Sequence, residues 1–332
     1  MIPPRAPLFM SRQHHAAVIT GPRRVSIEKQ ALPPCGPHQI RVQLEGCGVC
    51  GSNLPVWEGR PWFTYPLAGG APGHEGWGRV DAIGAEVDSI LAVGDRVAAL
   101  SFNAYAEYDV ADAAQVVKLP PELRDQPFPG EALGCALNIF RRCHIEPGEH
   151  VAVVGVGFIG ALLVNLAARA GAHVYALTRR PFALELATRL GAEAALPFGD
   201  RGTLVQQVRD LSGGAGCTCV IEATGFQEPL DLATELTAER GRLVIAGYHQ
   251  DGLRQVNMQL WNWRGLDVIN AHERDPRIYV QGMREAVEAV ASGRLDPSPL
   301  YTHRFPLDAL DRALDGMGAR DGGFMKALIT YA

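Results

Sequence analysis

Apolar residues follow two regimes along this chain. Up to about residue 120 they come in short runs, such as Ala17-Val-Ile-Thr20, Ile40-Arg-Val-Gln-Leu44, Arg79-Val-Asp-Ala-Ile83 and Arg96-Val-Ala-Ala-Leu100. Glycine and proline separate these runs, so the region reads as β-rich, with Gly94-Asp95 turning into a strand. From about Gly130 a helical stretch runs to about Arg142 and stops before Glu146-Pro-Gly148. A regular alternation then sets in. Strands are predicted near 151–155, 173–177, 193–196, 218–222, 242–246 and 266–270, and helices near 160–170, 181–190, 202–211 and 228–238. Strands alternating with helices of this length predict a doubly wound parallel α/β sheet. After Pro276 the apolar positions Met283, Ala286, Val287 and Val290 fall on one helix face. A short helix near 306–316 and a strand near 325–331 close the chain. This tail is too short for a core of its own and is expected to return to the N-terminal region.

The first strand of the alternation leads into Val151-Ala-Val-Val-Gly-Val-Gly-Phe-Ile-Gly160. Val151 to Ala168 is 18 residues with only Asn165 strongly polar, approaching a membrane span. Three glycines in its first half and a β-branched start predict strand, turn and helix instead. Gly155-x-Gly157-x-x-Gly160 at that place fits a dinucleotide site. Gly155 makes the turn, Gly157 lets a diphosphate approach, and Gly160 lets helix pack on strand, with Phe158 and Ile159 between them counted among the cofactor-binding residues. An NAD site usually has Asp or Glu at the end of the next strand. Here Thr178 stands there, followed by Arg179 and Arg180, which predicts NADP(H) with Arg179 on the 2′-phosphate. The bland alternative makes both arginines a solvated start to the next helix.

Composition narrows the class. The 332 residues allow two domains, and 20% charged against 47% hydrophobic reads as a soluble globular chain. A net charge of −5 without basic or acidic blocks offers no nucleic-acid or membrane surface. Met1-Ile-Pro-Pro-Arg5 lacks the apolar core of a signal peptide, and seven cysteines without a scaffold pattern suit a reducing cytoplasm.

Cys50 lies in Cys47-Gly-Val-Cys50-Gly-Ser-Asn53, His74 and Glu75 in Pro72-Gly-His-Glu-Gly76, and Cys135 in Glu131-Ala-Leu-Gly-Cys135. The gaps of 24 and 61 residues do not by themselves announce a metal. Taken singly, each residue reads as a buried thiol or a turn histidine. Together they form a Cys₂His set of the kind that holds catalytic zinc. A redox role for Cys47 with Cys50 lacks a thioredoxin-like context, and Cys217-Thr-Cys219 reads as core.

With Cys50-Gly-Ser52, Gly73-His-Glu75, Gly94-Asp-Arg-Val97, Glu131 to Cys135, Gly155 to Gly160 and Glu222-Ala-Thr-Gly225 in this order, nearly the whole chain resembles the zinc-dependent medium-chain dehydrogenase/reductase family of alcohol and polyol dehydrogenases. The resemblance implies a Rossmann sheet inserted in a GroES-like β-barrel catalytic domain. The division expected is 1–134 catalytic, 135–271 cofactor-binding and 272–332 returning to the catalytic domain. It also implies one zinc on Cys50, His74 and Cys135, with Glu75 as an alternative ligand and Glu131 near the metal. Glu131 reads equally well as a carboxylate at a helix start. Ser52 would bond the substrate hydroxyl and pass its proton outward, and the family is commonly dimeric or tetrameric.

Two departures stand out. Asn53 replaces the usual Asp, and Pro55 replaces a proton-relaying His. Ser101 to Lys118 holds no cysteine, so the family's structural zinc is not expected. Trp57, Trp62, Phe63 and Tyr65, with Arg60, form a segment the family places near the substrate cleft, and Trp57 is a candidate substrate contact. The expected activity is hydride transfer between NADP(H) and an alcohol, polyol or sugar. The alternatives are a zinc-free quinone or enoyl reductase, and a non-catalytic dinucleotide-binding protein.

Overall fold

The computed structural model describes residues 12–88 and 90–331, so the N-terminal stretch read for a leader lies outside them. The strands are β1 Gln13–Gly21, β2 Arg24–Ala31, β3 Gln39–Gly48, β4 Gly76–Ile83, β5 Arg96–Ala99, β6 Tyr108–Asp112, β7 Val116–Lys118, β8 His150–Val154, β9 His173–Thr178, β10 Ala194–Pro197, β11 Cys217–Glu222, β12 Thr237–Ile245, β13 Asp267–Asn270, β14 His303–Pro306 and β15 Ala327–Thr330. The helices are α1 Leu54–Glu58, α2 Gly130–Cys143, α3 Phe158–Arg169, α4 Pro181–Arg189, α5 Arg201–Leu211, α6 Gln227–Leu236, α7 Met258–Arg264, α8 Pro276–Ala291 and α9 Leu310–Ala319.

The β8–β13 sheet is parallel, in the order β10-β9-β8-β11-β12-β13. The order reverses between β8 and β11, which opens a crevice at the strand ends where ligands bind in such sheets. Central β8 is apolar on both faces because helices cover both: α3 and α4 on one side, α5 and α6 on the other. Val151 to Ala168 is therefore strand, turn and helix. Among the described residues no helix is long and apolar enough to cross a membrane.

The N-terminal region forms a mainly antiparallel sheet in the order β14-β15-β3-β4-β5-β7, with β6 also on β3. The tail does return to it: β15 pairs with β3, Ile329 opposite Cys47. Helices α2 and α8 pack together between the two sheets, sharing one apolar core with both. Helix α8 buries Met283, Ala286 and Val287, the face its periodicity predicts. Asp275 caps it by accepting from the Arg277 N–H at 2.9 Å. Helix α2 runs unbroken across residues 134 and 135, so the division expected there falls inside a helix that touches both sheets.

Candidate active site

Strand register explains why residues far apart in sequence meet. Cys47 in β3 lies opposite Gly76 in β4. Cys50, just past the end of β3, and His74-Glu75, just before β4, therefore emerge at the same end of the strand pair. Ligand atoms of Cys50, His74 and Glu75 all lie within 4.8 Å of one another.

Cys135 is not one of this three-residue group. It sits in the second turn of α2, four residues after Glu131, so the two share a helix face. Its Sγ–H donates to Glu131 Oε1 at 3.1 Å. Glu131 Oε2 stands 4.0 Å from His74 Nε2 and so links Cys135 to the cluster. The thiol–imidazole–carboxylate donor set suits a borderline-soft ion such as zinc.

The charge balance also favours a cation here. Burial disfavours a charged His74 ring, yet Cys50, Glu131 and Glu75 outweigh it and raise the pKa to about 10. Burial raises Glu131, aided by Glu75, and burial followed by Glu131 pushes Cys135 well up. A metal ion at this place would satisfy the anions that otherwise hold the proton.

Neighbours orient the ring. His74 Nδ1 stands 2.8 Å from the Pro72 carbonyl, which turns Nε2 toward the cluster. Ser52 Oγ is 3.5 Å from that Nε2. Asn53 does not bond the ring. Its Nδ2 donates to the same Pro72 carbonyl at 3.3 Å, and its Oδ1 accepts from the Tyr105 hydroxyl at 2.7 Å. The amide thus steadies the carbonyl that steadies the histidine. Pro55 is buried in the first turn of α1, where proline is suited to start a helix.

Glu75 is fully buried and pairs with Lys326 Nζ at 2.6 Å through Oε1 and 2.5 Å through Oε2. Lys326, equally buried, also lies over the Phe158 ring, 4.7 Å from its centroid. Sequence reading passed it over. Its signal was a single lysine inside the otherwise apolar run Phe324 to Ile329.

The glycine turn is built for close approaches. Gly155 has φ 104°, and a Cβ there would lie 2.4 Å from Thr224 Cγ2. A Cβ on Gly160 would lie 1.9 Å from the Gly155 carbonyl oxygen. At Gly157 nothing lies within 4 Å of an added Cβ, so the backbone is open. Phe158 and Ile159 begin α3. Thr178 is buried at the end of β9. Arg179 is exposed, its Nη2 donating to Glu228 at 2.8 Å, with its guanidinium 5.6 Å from the Phe198 ring centroid. Arg180 does not simply face solvent: Nη2 donates to the Val156 carbonyl at 2.9 Å and Nη1 to that of Phe324.

Trp57 departs from its expected place. It falls in α1, 1% exposed, with its indole N–H donating to Asp315 at 2.8 Å. That polar handle draws it into the core against α9, which leaves it no open face for a ligand. Trp62 stays exposed beside Phe63. Cys47, Cys217 and Cys219 are buried, and all seven cysteines are free thiols.

Two family models match the chain. The alcohol dehydrogenase GroES-like domain matches residues 36–121, and the zinc-binding dehydrogenase model matches 159–290. An erythritol/L-threitol dehydrogenase of Mycolicibacterium smegmatis is 27% identical, covering 90% of this chain and 93% of that protein. The crystal structure of 2R,3R-butanediol dehydrogenase from Bacillus subtilis superposes with a TM-score of 0.81 at 25% identity, covering 96% of this chain and 99% of that one. An Escherichia coli oxidoreductase/dehydrogenase of unknown specificity shares the fold at a TM-score of 0.86 and 20% identity, over 97% of this chain and all of that one.

Proposed function

Because the chain belongs to the medium-chain zinc-binding dehydrogenase/reductase family and is an enzyme of dehydrogenase type, we propose that it is zinc-dependent and moves a hydride between NADP(H) and an alcohol, polyol or sugar. The observation that carries this reading is the gathering of Cys50, His74 and Glu75 within 4.8 Å, with the Ser52 hydroxyl beside the same imidazole.

Cys50, His74 and Cys135 would hold one zinc ion, with Glu75 as an alternative oxygen donor and Glu131 bordering the set. When bound, zinc supplies a Lewis acid for the substrate oxygen, and the nicotinamide supplies the hydride chemistry. The chain's own residues do the rest. The Pro72 carbonyl keeps a proton on His74 Nδ1, which leaves Nε2 as a donor atom. Ser52 takes the proton of the substrate hydroxyl at Oγ and releases it outward by a route that does not use Pro55. Gly157 leaves the backbone bare for a diphosphate, and the N-terminus of α3 adds free N–H groups.

Thr178 brings no carboxylate to the ribose. Arg179 is the candidate partner of the 2′-phosphate, because its exposed pairing with Glu228 is weak and exchangeable. Arg180, spent on two carbonyls, steadies the site. Exposed Trp62 with Phe63 supports a substrate larger than a short aliphatic alcohol. The relatedness to an erythritol/L-threitol dehydrogenase supports the same class. The enzyme is proposed to act as a homo-oligomer.

Elemental analysis with steady-state kinetics tests the reading. About one zinc per chain is expected. Cys50→Ser should remove both metal and turnover, and kcat/KM should be higher with NADP than with NAD on a polyol panel. Full turnover in a metal-free preparation would overturn the zinc assignment. A higher kcat/KM with NAD would overturn the cofactor assignment.

A further inference from the structure

Arg320 has an unusual setting for an arginine. It ends α9 in the left-handed region at φ 55°, where glycine is unstrained and a side chain is not. Its Nε donates to the Met317 carbonyl at 3.2 Å. Among the described residues no carboxylate pairs with it. The guanidinium lies beside the residue that follows Cys50: a Cβ on Gly51 would stand 3.8 Å from Arg320 Nη2. A longer side chain at Gly51 would occupy the space this guanidinium reaches across.

Arg180 approaches from the cofactor-binding sheet. It is tied to the glycine turn through Val156 and to the returning tail through Phe324. The two arginines repel each other. Burial, with Arg320 as a further cause, lowers the Arg180 pKa. Arg180 reaches the turn from which Arg320 leaves α9: it donates to the Phe324 carbonyl, and the Phe324 N–H donates at 3.1 Å to the carbonyl of Asp321, the residue after Arg320. An anion is favoured where two cationic side chains come from one turn. The first turn of α3, next to Val156, carries no acidic side chain and presents free N–H groups.

We propose that Arg320 completes the cofactor site from the catalytic side, its guanidinium donating to the diphosphate of the bound dinucleotide across from the Gly155–Gly160 turn. The inference rests on the dinucleotide reading of that turn. It favours the diphosphate over an anionic substrate because Arg180, the neighbour of Arg320, is anchored to the turn and not to the Cys50–His74–Glu75 cluster. It also separates two roles: Arg179 would distinguish NADP from NAD, whereas Arg320 would hold both alike.

The test is direct binding of NADPH, NADH and ADP-ribose to the full-length wild type, Arg320→Gly and Arg320→Lys, by titration calorimetry, with thermal melting as a check on folding. Glycine suits the backbone at φ 55°, so Arg320→Gly should melt no lower than the wild type. It should weaken all three ligands to a similar degree, on the order of tenfold or more, the size of a lost charge-assisted hydrogen bond. The NADPH-to-NADH ratio should stay unchanged, and Arg320→Lys should recover part of the loss. Dissociation constants within about twofold of wild type for Arg320→Gly would overturn the proposal. So would a defect confined to the substrate KM, which would give Arg320 to an anionic substrate instead. If the wild type binds none of the three ligands, the dinucleotide reading itself fails.

Discussion

Lys326 shows how one side chain can join two sites. Its ammonium is buried between the Glu75 carboxylate and the Phe158 ring, so it touches both the metal-type cluster and the first residue of the helix after the glycine turn. In a water-free setting the pair is stable only while both charges are present. Removing the cation alone strands a buried carboxylate. Lys326→Met is therefore expected to lower unfolding stability by about 3–5 kcal/mol, and Lys326→Met with Glu75→Gln should regain most of it. Urea denaturation of both variants checks this, and a double variant as unstable as the single one would refute the coupling. Ser52 belongs to the same scale but to chemistry: Ser52→Ala should lower kcat by about 10² or more while leaving the cofactor Kd unchanged. An unchanged kcat, with hydride transfer limiting, would assign the proton to water. The candidate residues of this site were legible in the sequence only as a set, through the family resemblance, because each taken singly reads as a buried thiol or a turn histidine. Their mutual arrangement was not. That Cys135 bonds Glu131, or that Asn53 works through the Pro72 carbonyl, depends on side-chain directions no spacing rule supplies.

At the scale of elements, long periodic segments announced themselves and short ones did not. The alternation from β8 to β13 was readable because each helix and strand carries its own apolar period. Helix α1 is only five residues long, and its proline reads as a helix start as easily as a lost relay. No apolar period marked the helix that carries Trp57 into the core, and the resemblance alone placed that residue near the substrate cleft. Helix α7 buries none of its residues, so no apolar stripe marked it. The packing of α2 on α8 was likewise hidden, since it depends on what is missing from two side chains. A Cβ on Gly134 would stand 2.7 Å from the Met283 nitrogen, and one on Gly282 would stand 2.5 Å from the Gly134 oxygen. Both clashes are with backbone, which cannot swing away. Gly134→Val should therefore force the helices apart at a cost of about 3 kcal/mol or more. Because α2 carries Glu131 and Cys135, the same variant should also lower zinc content. Chemical denaturation and metal analysis of Gly134→Val would settle both effects, and wild-type values would show that the interface yields more easily than its geometry allows.

For the whole molecule, the parallel sheet ends in an open strand edge at β13. Among the described residues strand β13 pairs with β12 on one side only. An unpaired edge of this kind is a template for another chain unless something protects it. Residues on the strand and in the segment leading into it do the opposite of protecting it: Val268 on the strand, and Leu253, Met258 and Trp263 before it in the chain, are all exposed, Trp263 at 86%. A large indole in water four residues before an open strand edge is an unfavourable surface for a lone chain. A second copy related by a twofold axis can pair β13 with β13 and bury the same apolar residues from both sides, since such an interface is self-complementary. The expected state is therefore a dimer whose parallel sheets join edge to edge. Sedimentation of the purified protein at micromolar concentration should give the dimer mass. Trp263→Glu combined with Val268→Glu should give monomers that melt at lower temperature, because each copy then brings only negative charge to the shared interface. The clusters at Cys50 and Gly155 are built within one chain, so the monomeric variant should still bind zinc and cofactor. A wild type that sediments as a monomer, or a double variant that stays dimeric, would place the subunit contact elsewhere.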